Sequence, residues 1–224
     1  MNSLKENENE QKEDMLARLS QTETTEILEL IKNRRTCRKY LPFQIPEEIA
    51  LKIVDAGRLA VSARNLQPCV FYLIQNRNLN IEMGMKIEKI ALEQLPTCFD
   101  GIDTAGALER IFYGAPTVIH IFVRTDGYFT KFVDAGIAFE NMLLAAESFG
   151  LSTCPCALTK LFGNEIVREY LCIPSNLDLV MSLSIGHPSP DFKKVSMPRR
   201  MDNIIIIKEG EDPRKKGEIK EIDN

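Results

Sequence analysis

Residues 131–150 read KFVDAGIAFENMLLAAESFG, and this stretch constrains the fold more than any other. It predicts a helix with a wide apolar surface, because apolar residues recur at helical spacing on more than one side. We expect another element to pack close to the helix axis, because several positions carry small side chains. Gly150 is placed to cap the helix at its carboxyl end. The small positions are Ala135, Gly136, Ala138, Ala145 and Ala146.

Short apolar runs on either side of this helix predict buried strands. TVIHIFV, at 117–123, is rich in β-branched residues, and CVFYLIQ and LDLVMSLSIG are similar runs at 69–75 and 177–186. Between the long helix and the last strand, STCPCALT predicts a loop, followed by a short helix at about 162–171. Helices and strands alternate without a strict βαβ repeat, so we predict a single α+β domain.

Further helices are predicted nearer the amino terminus. TTEILELIKNRR places its apolar residues on one helical face. IPEEIALKIVDAGRLAV begins with a proline and two glutamates, which suit a first turn. Its buried stripe is predicted to be Ile49, Ile53, Ala56 and Ala60. Residues 77–113 are harder to interpret. They predict a helix at about 81–95, a loop, and a helical piece ending near 111–114.

Composition limits the classes of function. A formal net charge of −4 over 224 residues argues against nonspecific nucleic-acid binding. No run of 18 apolar residues predicts a membrane span, and the polar start predicts no secretory signal, so we expect a cytoplasmic protein. We predict a polar segment at 1–22, one domain at 23–207 and a charged tail at 208–224.

Several chemistries are excluded by missing motifs. The chain has no G-x-G-x-x-G after a strand, no G-x-S-x-G and no H-E-x-x-H. Its six cysteines include no C-x-x-C pair and only two histidines accompany them, so we expect buried or loop thiols and no metal site. His120 lies within an apolar run and is predicted to be a core histidine.

Residues 34–40, RRTCRKY, gather four cations in a slightly acidic chain. Basic residues at a helix end are favoured by the helix dipole, which is one explanation. A second is anion binding, because a second arginine pair follows at Arg199 and Arg200 and guanidinium groups suit phosphate. The loop SARNLQP adds Asn and Gln amides that suit a heteroaromatic ring. Together these indicate a mononucleotide-like cofactor, with scattered surface arginines and a capping loop as the open alternative.

In this order, RRTCRKY, IPEEIALKIVDAGRLAVSARNLQP, YGAP, DAGIAFENMLLAAESFGLSTCP and IGHPSP resemble the nitroreductase family of FMN-dependent oxidoreductases. The resemblance covers about residues 26–200. Three departures stand out: Thr36 replaces a usual serine but keeps its hydroxyl, Val61 replaces a proline, and Cys69 replaces a tryptophan. Arg64 is an unexpected charge in the loop that the family uses for flavin.

The resemblance implies a nitroreductase-like fold, with a central mixed or antiparallel sheet flanked by helices, and an FMN site. Arg34, Arg35, Thr36 and Arg38 would hold the FMN phosphate and ribityl chain, completed by Arg199 or Arg200, while Lys39 faces solvent. Ser62, Ala63, Arg64, Asn65 and Gln67 would reach the flavin, in part from the partner subunit. Pro155, Cys156, Ala157 and Leu158 would lie beside the isoalloxazine, with a backbone N–H pointing at N5.

The resemblance also implies an activity. NADH or NADPH would reduce FMN, which would then reduce a nitroaromatic, a quinone or a similar acceptor by a ping-pong mechanism, with no catalytic side chain required. The protein would be a homodimer with flavin at the interface, and the apolar run at 204–207 would extend onto the partner subunit as an added strand.

Three alternatives stay open on the sequence. One is a flavin-binding protein without turnover. Another is a specialised relative, either a reductive dehalogenase or a flavin-destroying enzyme, in which residues 77–113 would set specificity. Phe99, Phe112 and Tyr113 could line such a pocket, although core packing explains aromatics equally well. The last is an interaction module built on the basic patch.

Overall fold

The computed structural model describes residues 26–104, 106–126, 128–195, 198–199 and 207. The chain divides into one compact unit that ends at Lys194 and a second that begins at Val195. All helices and strands described below lie in the first unit. The predicted domain boundary at 207 falls in the second unit. Of the predicted strand at 204–207 only Ile207 is described. The domain boundary at 207 and the strand at 204–207 therefore stay predictions.

The described residues contain six α-helices and four strands. The helices are α1 (Glu26–Asn33), α2 (Glu47–Arg58), α3 (Arg77–Gln94), α4 (Lys131–Ser148), α5 (Leu158–Phe162) and α6 (Asn164–Leu171). The strands are β1 (Cys69–Ile74), β2 (Thr117–Arg124), β3 (Ser152–Cys156) and β4 (Leu177–Gly186). The predicted strands therefore match β1, β2 and β4 closely, and the predicted α+β class is confirmed.

The four strands form one sheet in the order β1-β2-β4-β3, with every neighbouring pair antiparallel. The register aligns four residues in a row across the whole sheet: Tyr72, His120, Ser182 and Cys156. Because side chains alternate along a strand, these four residues point to the same face. A β-bulge between Ile121 and Phe122 interrupts the β2–β4 ladder.

Helices cover both faces of the sheet. On one face Ile53 of α2 and Met142 of α4 pack with Ile119 of β2. On the other, Ile87 of α3 and Phe112 pack with Phe122 of β2. The central strand β2 is consequently buried on both faces, which explains why its sequence is continuously apolar rather than alternating.

The close neighbour expected for the small-residue helix α4 is α2. A Cβ built on Gly57 would lie 2.9 Å from Cγ of Met142, and the Asn141 side chain donates to the Ala56 carbonyl at 3.1 Å. Gly150 has φ of +70° and donates to the Glu147 carbonyl at 2.9 Å, which is half of a Schellman motif. The predicted cap is thus confirmed. The stripe predicted on α2 is displaced, because the buried positions are Ala50, Ile53 and Gly57.

The predicted loop STCPCALT is wrong over its first residues, because residues 152–156 form β3, paired with β4. Pro155 lies within this strand. Proline is tolerated there because β3 stands last in the sheet order and need not donate to a second strand at that point. The helix predicted at about 162–171 corresponds to α6, whereas α5 before it was not predicted. The two helices are separated at Gly163, where a Cβ would lie 2.6 Å from Cδ1 of Ile87.

The helical piece predicted to end near residues 111–114 is also wrong. A turn built around the buried Glu109 carboxylate occupies this position. Its two oxygens accept hydrogen bonds from the backbone N–H groups of Ile111, Phe112 and Gly114, each at 2.7 Å. Burial raises the pKa of Glu109, and the three N–H donors oppose that rise. The carboxylate therefore replaces the backbone partners that a helix would have provided.

Candidate flavin site

The basic segment 34–40 leaves α1 and runs beside the end of the sheet. The Cys37 N–H donates to the Thr153 carbonyl of β3 at 2.8 Å, and the Leu41 N–H donates to the His187 carbonyl, just after β4, at 2.9 Å. Thr36 also forms a parallel bridge with Thr153. These backbone contacts bring the arginine-rich segment next to the strand that carries Pro155 and Cys156.

Two guanidinium groups of this segment carry nitrogen atoms that are buried and unpaired. Within the described residues, Nη1 of Arg34 and Nε of Arg38 have no hydrogen-bond partner. Leaving a buried charged donor unsatisfied costs more than the roughly 1–3 kcal/mol of a neutral group. Because buried polar atoms without partners are rare in native proteins, these two nitrogens fit a binding site for an anionic ligand.

The other cations of the segment are held by the protein itself. Nη1 of Arg35 donates to the carbonyls of Lys32 and Arg34, both at 2.6 Å, so this side chain covers the end of α1. The sequence analysis predicted that Lys39 faces solvent, but its ammonium group is paired with two carboxylates. It lies 3.1 Å from Asp103 and 3.5 Å from Asp191, with only 26% of its side chain exposed.

Arg38 lines a cavity of about 220 Å³ together with Lys39, Arg77, Tyr113 and Asp191. These charged side chains comprise three cations and one carboxylate, so the cavity favours an anionic or electron-rich ligand. The Arg38 guanidinium carbon lies 5.8 Å from the centroid of the Tyr113 ring. The three turn N–H bonds to Glu109 hold the loop that carries this tyrosine, which has φ of +59°.

Arg77 was missed by the sequence analysis. Its Nε donates to the Gly114 carbonyl at 3.0 Å, which ties the start of α3 to the same cavity. No signal in the sequence analysis pointed to it, because the helix was predicted to begin at about residue 81, after Arg77.

The loop at 62–67 contains one 3₁₀ turn, Ala63–Asn65, and departs from ordinary backbone geometry. Arg64, Asn65 and Gln67 have φ of 54°, 56° and 45°. Non-glycine residues seldom adopt such angles, and several in one loop store strain that is characteristic of ligand-binding segments. The amide of Gln67 donates to Oδ1 of Asn65 at 3.1 Å, and its N–H donates to Oγ of Ser62 at 3.0 Å.

The buried Asp134 anchors this loop to α4. Both of its carboxylate oxygens lie 3.3 Å from the Ala63 nitrogen. Asp134, Ser62 and Gln67 line a cavity of about 90 Å³ between α2, α4 and β1. This cavity shares no lining residue with the one at Arg38. Within the described part of a single chain, Arg38 therefore lines one cavity, and Ser62 and Gln67 line another.

The predicted N5 segment spans two elements. Pro155 is half-buried and Cys156 buried in β3, Ala157 is exposed, and Leu158 begins α5. The Sγ of Cys156 lies 3.2 Å from Oγ of Ser184, so this thiol faces the sheet interior.

The neighbouring thiol of Cys154 is also buried. A hydrogen bond with Cys156, together with burial, raises the pKa of Cys154 well above its usual value. Both thiols are buried and pack against the hydrophobic core of that face of the sheet.

Two predicted residues lie outside this arrangement. Arg199 belongs to the second unit, and Arg200 is outside the described residues, so their contribution to a phosphate site stays a prediction. Throughout the described ranges, no three histidine, cysteine or acidic side chains gather as metal ligands. Likewise, none of the described helices is long and apolar enough to cross a bilayer.

Comparison with known proteins places this geometry in a class. Residues 31–187 match the family model described as the Nitroreductase family. The chain is 27% identical over 188 residues to an FMN reductase [NAD(P)H] of Bacillus subtilis, with 80% of this chain and 72% of the relative covered. It is 23% identical over 206 residues to a 4-nitrobenzoate reductase of Pseudomonas putida, with 77% and 90% covered.

A solved structure is similar as well. The crystal structure of a nitroreductase with bound FMN from Desulfitobacterium hafniense superposes with a TM-score of 0.68 at 25% identity, and the match covers 83% of this chain and all of that one. Because the family model matches well over half of the sequence, the chain belongs to the nitroreductase family. The fold expected from the resemblance is thereby confirmed.

Proposed function

We propose that this protein is an FMN-dependent oxidoreductase that takes electrons from NADH or NADPH and delivers them to a nitroaromatic, a quinone or a similar acceptor. Bound FMN supplies the redox chemistry, and the protein supplies binding, orientation and electrostatics. The donor and the acceptor use one site in turn, which gives ping-pong kinetics. A cytoplasmic location is part of this proposal, because NADH and NADPH are available there.

The observation that carries the proposal is the pair of buried, unpaired guanidinium nitrogens on Arg34 and Arg38. Each is a charged donor positioned without an acceptor, and a phosphate or a flavin oxygen would supply one. Arg35 and Thr36 complete the segment, and Arg199 or Arg200 adds the last phosphate contact. The segment from Pro155 to Leu158 lies beside the ring and contributes a backbone N–H.

We further propose a homodimer that completes the flavin site. Near the loop at 62–67, α4 presents Phe132, Val133 and Ile137 with 48%, 64% and 38% of each residue exposed. Leu59 and Val61, at the end of α2, are exposed as well. Contiguous apolar surface of this kind marks a protein interface. In this proposal the 62–67 loop of the second copy completes the flavin site beside Arg38.

The proposal is tested by measuring FMN affinity of Arg34→Ala and Arg38→Ala variants by fluorescence titration. Losing one charge-assisted hydrogen bond of roughly 1.5–3 kcal/mol weakens binding about 10- to 100-fold. Lys89→Ala is the matched control. It removes an exposed cation from α3 about 18 Å along the helix from Arg77, beyond reach of the cavity. Unchanged FMN affinity in both arginine variants, with the fold intact, contradicts the proposal.

A second measurement separates an enzyme from a flavin-binding protein without turnover. Anaerobic mixing with NADH or NADPH should bleach the flavin absorbance within seconds, and the reduced protein should recover its colour on adding a nitroaromatic or a quinone. A bound flavin that stays oxidised supports the non-catalytic alternative. Recovery with an aryl halide but not with the other acceptors supports the reductive dehalogenase.

A further inference from the structure

Three buried side chains form a hydrogen-bonded line from the middle of the sheet to the segment proposed to contact flavin. The Nδ1 of His120 lies 2.7 Å from Oγ of Ser182. Ser182 Oγ lies 3.0 Å from Oγ1 of Thr159, at the start of α5. Thr159 Oγ1 lies 2.6 Å from the carbonyl oxygen of Cys156. All three side chains have zero solvent exposure.

The far end of the line decides the direction of every bond in it. A carbonyl oxygen can only accept, so the Thr159 hydroxyl donates to Cys156. The Thr159 oxygen then accepts from the Ser182 hydroxyl, and the Ser182 oxygen accepts from His120. His120 must therefore carry its proton on Nδ1. This assignment also explains why Nε2 has no partner among the described residues, because it is then a lone-pair acceptor rather than an abandoned donor.

The line ends on a peptide group whose other side faces outward. In a trans peptide the C=O and N–H bonds point in opposite directions, so holding the Cys156 oxygen toward Thr159 directs the Ala157 N–H away from it. Ala157 is exposed. Among the described residues no backbone carbonyl accepts from its N–H.

We propose that Thr159 is a positioning residue, which with Ser182 and His120 fixes and polarises the Cys156–Ala157 peptide so that the Ala157 N–H is held ready to donate to a bound ligand. For the flavin as that ligand, the inference rests on the function proposed above. Aligned hydrogen bonds strengthen one another in a low-dielectric interior, so the chain makes this N–H a better donor than an isolated amide.

A simpler explanation exists for one bond alone. Threonine in a helix often bonds to the carbonyl three residues before it, which needs no functional reason. It does not account for the serine and histidine aligned behind the threonine on two further strands. Because burying a serine and a histidine in an apolar core is costly unless they are paired, the complete line is the observation that needs explanation.

The first test uses the protein without added flavin. Long-range proton–nitrogen NMR should show His120 as a single tautomer protonated on Nδ1. The amide resonance of Ala157 should shift in Thr159→Val, which keeps the shape and loses the hydroxyl, and stay near its wild-type position in Thr159→Ser. Protonation on Nε2, or an Ala157 resonance that is the same in all three proteins, overturns the proposal.

The second test uses the protein loaded with FMN. Thr159→Val should slow flavin reduction by NADH about 3- to 10-fold, the effect of one weakened hydrogen bond, while changing FMN affinity less than twofold. Thr159→Ser should restore the rate. Ser184→Ala is the control, because its hydroxyl contacts the Cys156 sulfur and not the peptide. Equal rates in Thr159→Val and Thr159→Ser overturn the role toward flavin.

The two tests fail separately. If the wild-type protein binds no FMN, the proposed function is wrong, while the NMR experiment still decides whether Thr159 orients the peptide. If FMN binds and is reduced but the Ala157 amide resonance does not depend on the threonine hydroxyl, the proposed function stands and the positioning role is wrong.

Discussion

His120 shows how burial decides the chemistry of a single residue. Burial lowers its pKa from 6.5 to about 3, so the ring stays neutral at physiological pH. The sequence predicted a core histidine from its apolar neighbours, and that prediction is confirmed by its zero exposure. Its partner Ser182 could not be predicted, because the β2–β4 register that brings the two together depends on the whole sheet.

The lowered pKa of His120 predicts acid sensitivity. The unfolded chain takes up a proton near pH 6.5 that the folded protein refuses until about pH 3. The contribution of neutral His120 to the free energy of unfolding is therefore fully present above pH 6.5. It is lost as the pH falls toward 3, by up to about 1.4 kcal/mol per pH unit. Urea unfolding of the wild type and His120→Asn at pH 4–7 should show a steeper acid loss in the wild type.

The wild type must be compared with His120→Asn because Glu109 changes the pH dependence of stability in the opposite direction. Burial raises its pKa, so its contribution favours the folded state at low pH and weakens as the pH rises through the carboxylate range. Both proteins share Glu109, so the difference between their slopes isolates the histidine. Parallel pH profiles would show that His120 accepts a proton in the folded protein.

Whether a site residue could be predicted from the sequence depends on how far along the chain its partners lie. Arg34 and Arg38 were predictable because four cations in seven residues are unusual in an acidic chain. Asp134 was not predictable, because it holds Ala63, which lies 71 residues earlier in the chain. Thr159 lies only three residues after Cys156, but its partner Ser182 lies 23 residues away on another strand. The glutamate, aspartate and threonine side chains that hold loops look in sequence like ordinary solvated residues.

At the level of elements, α3 can pack closely against the turn at 109–114 because Gly84 has no side chain. A Cβ on Gly84 would lie 2.4 Å from Oε2 of Glu109, which already accepts two backbone N–H groups at 2.7 Å. The carboxylate cannot move away without leaving those donors unpaired. This pairing is the reason that a glycine is required in the interior of an otherwise ordinary helix.

Gly84→Ala should therefore destabilise the protein by about 1–3 kcal/mol, the usual effect of overpacking a buried site, despite the better helix propensity of alanine. Met85→Ala, at the next and exposed position of α3, should change stability by less than about 0.5 kcal/mol. Chemical unfolding monitored by circular dichroism measures both. A stabilised Gly84→Ala protein would mean that the Glu109 turn is not held as described.

The sequence predicted the elements with apolar patterns, namely the strands β1, β2 and β4 and the helices α1, α2, α3, α4 and α6, although α3 begins a few residues before the expected position. Strand β3 was missed because it is short and contains a proline, which is typical of turns and loops. The turn at 109–114 was missed for another reason. The Glu109 carboxylate accepts the hydrogen bonds of this turn, and such an arrangement leaves no periodic pattern in the sequence.

For the whole molecule, the exposed face of α4 predicts the oligomeric state. Val133→Glu would place an unpaired carboxylate in the proposed interface, which costs several kcal/mol. Light scattering at micromolar concentration should show a wild-type dimer and a mainly monomeric variant, and the variant should retain less FMN. Met85→Glu, at an exposed apolar site on α3, is the control and should stay dimeric.

Two outcomes would contradict the dimer. The first is a wild-type protein that is already monomeric under these conditions. The second is a Val133→Glu protein that remains dimeric with full flavin content, which would place the interface elsewhere. The sequence alone predicted that another element packs against the small residues of α4, and Ala135, Ala138 and Ala146 are buried within the same chain. The exposed positions on the same helix are the ones that support an interface.

The row formed by Tyr72, His120, Ser182 and Cys156 has a consequence for how the sheet assembles. Sliding β2 past β4 by a single residue would set His120 opposite an aliphatic side chain and strand its ring nitrogen in hydrocarbon. Most other residues of β2 and β4 are apolar, so this polar pair helps to distinguish correct from incorrect alignment. The hydrogen bond between His120 and Ser182 thus favours the native register of β2 and β4 over a shifted one.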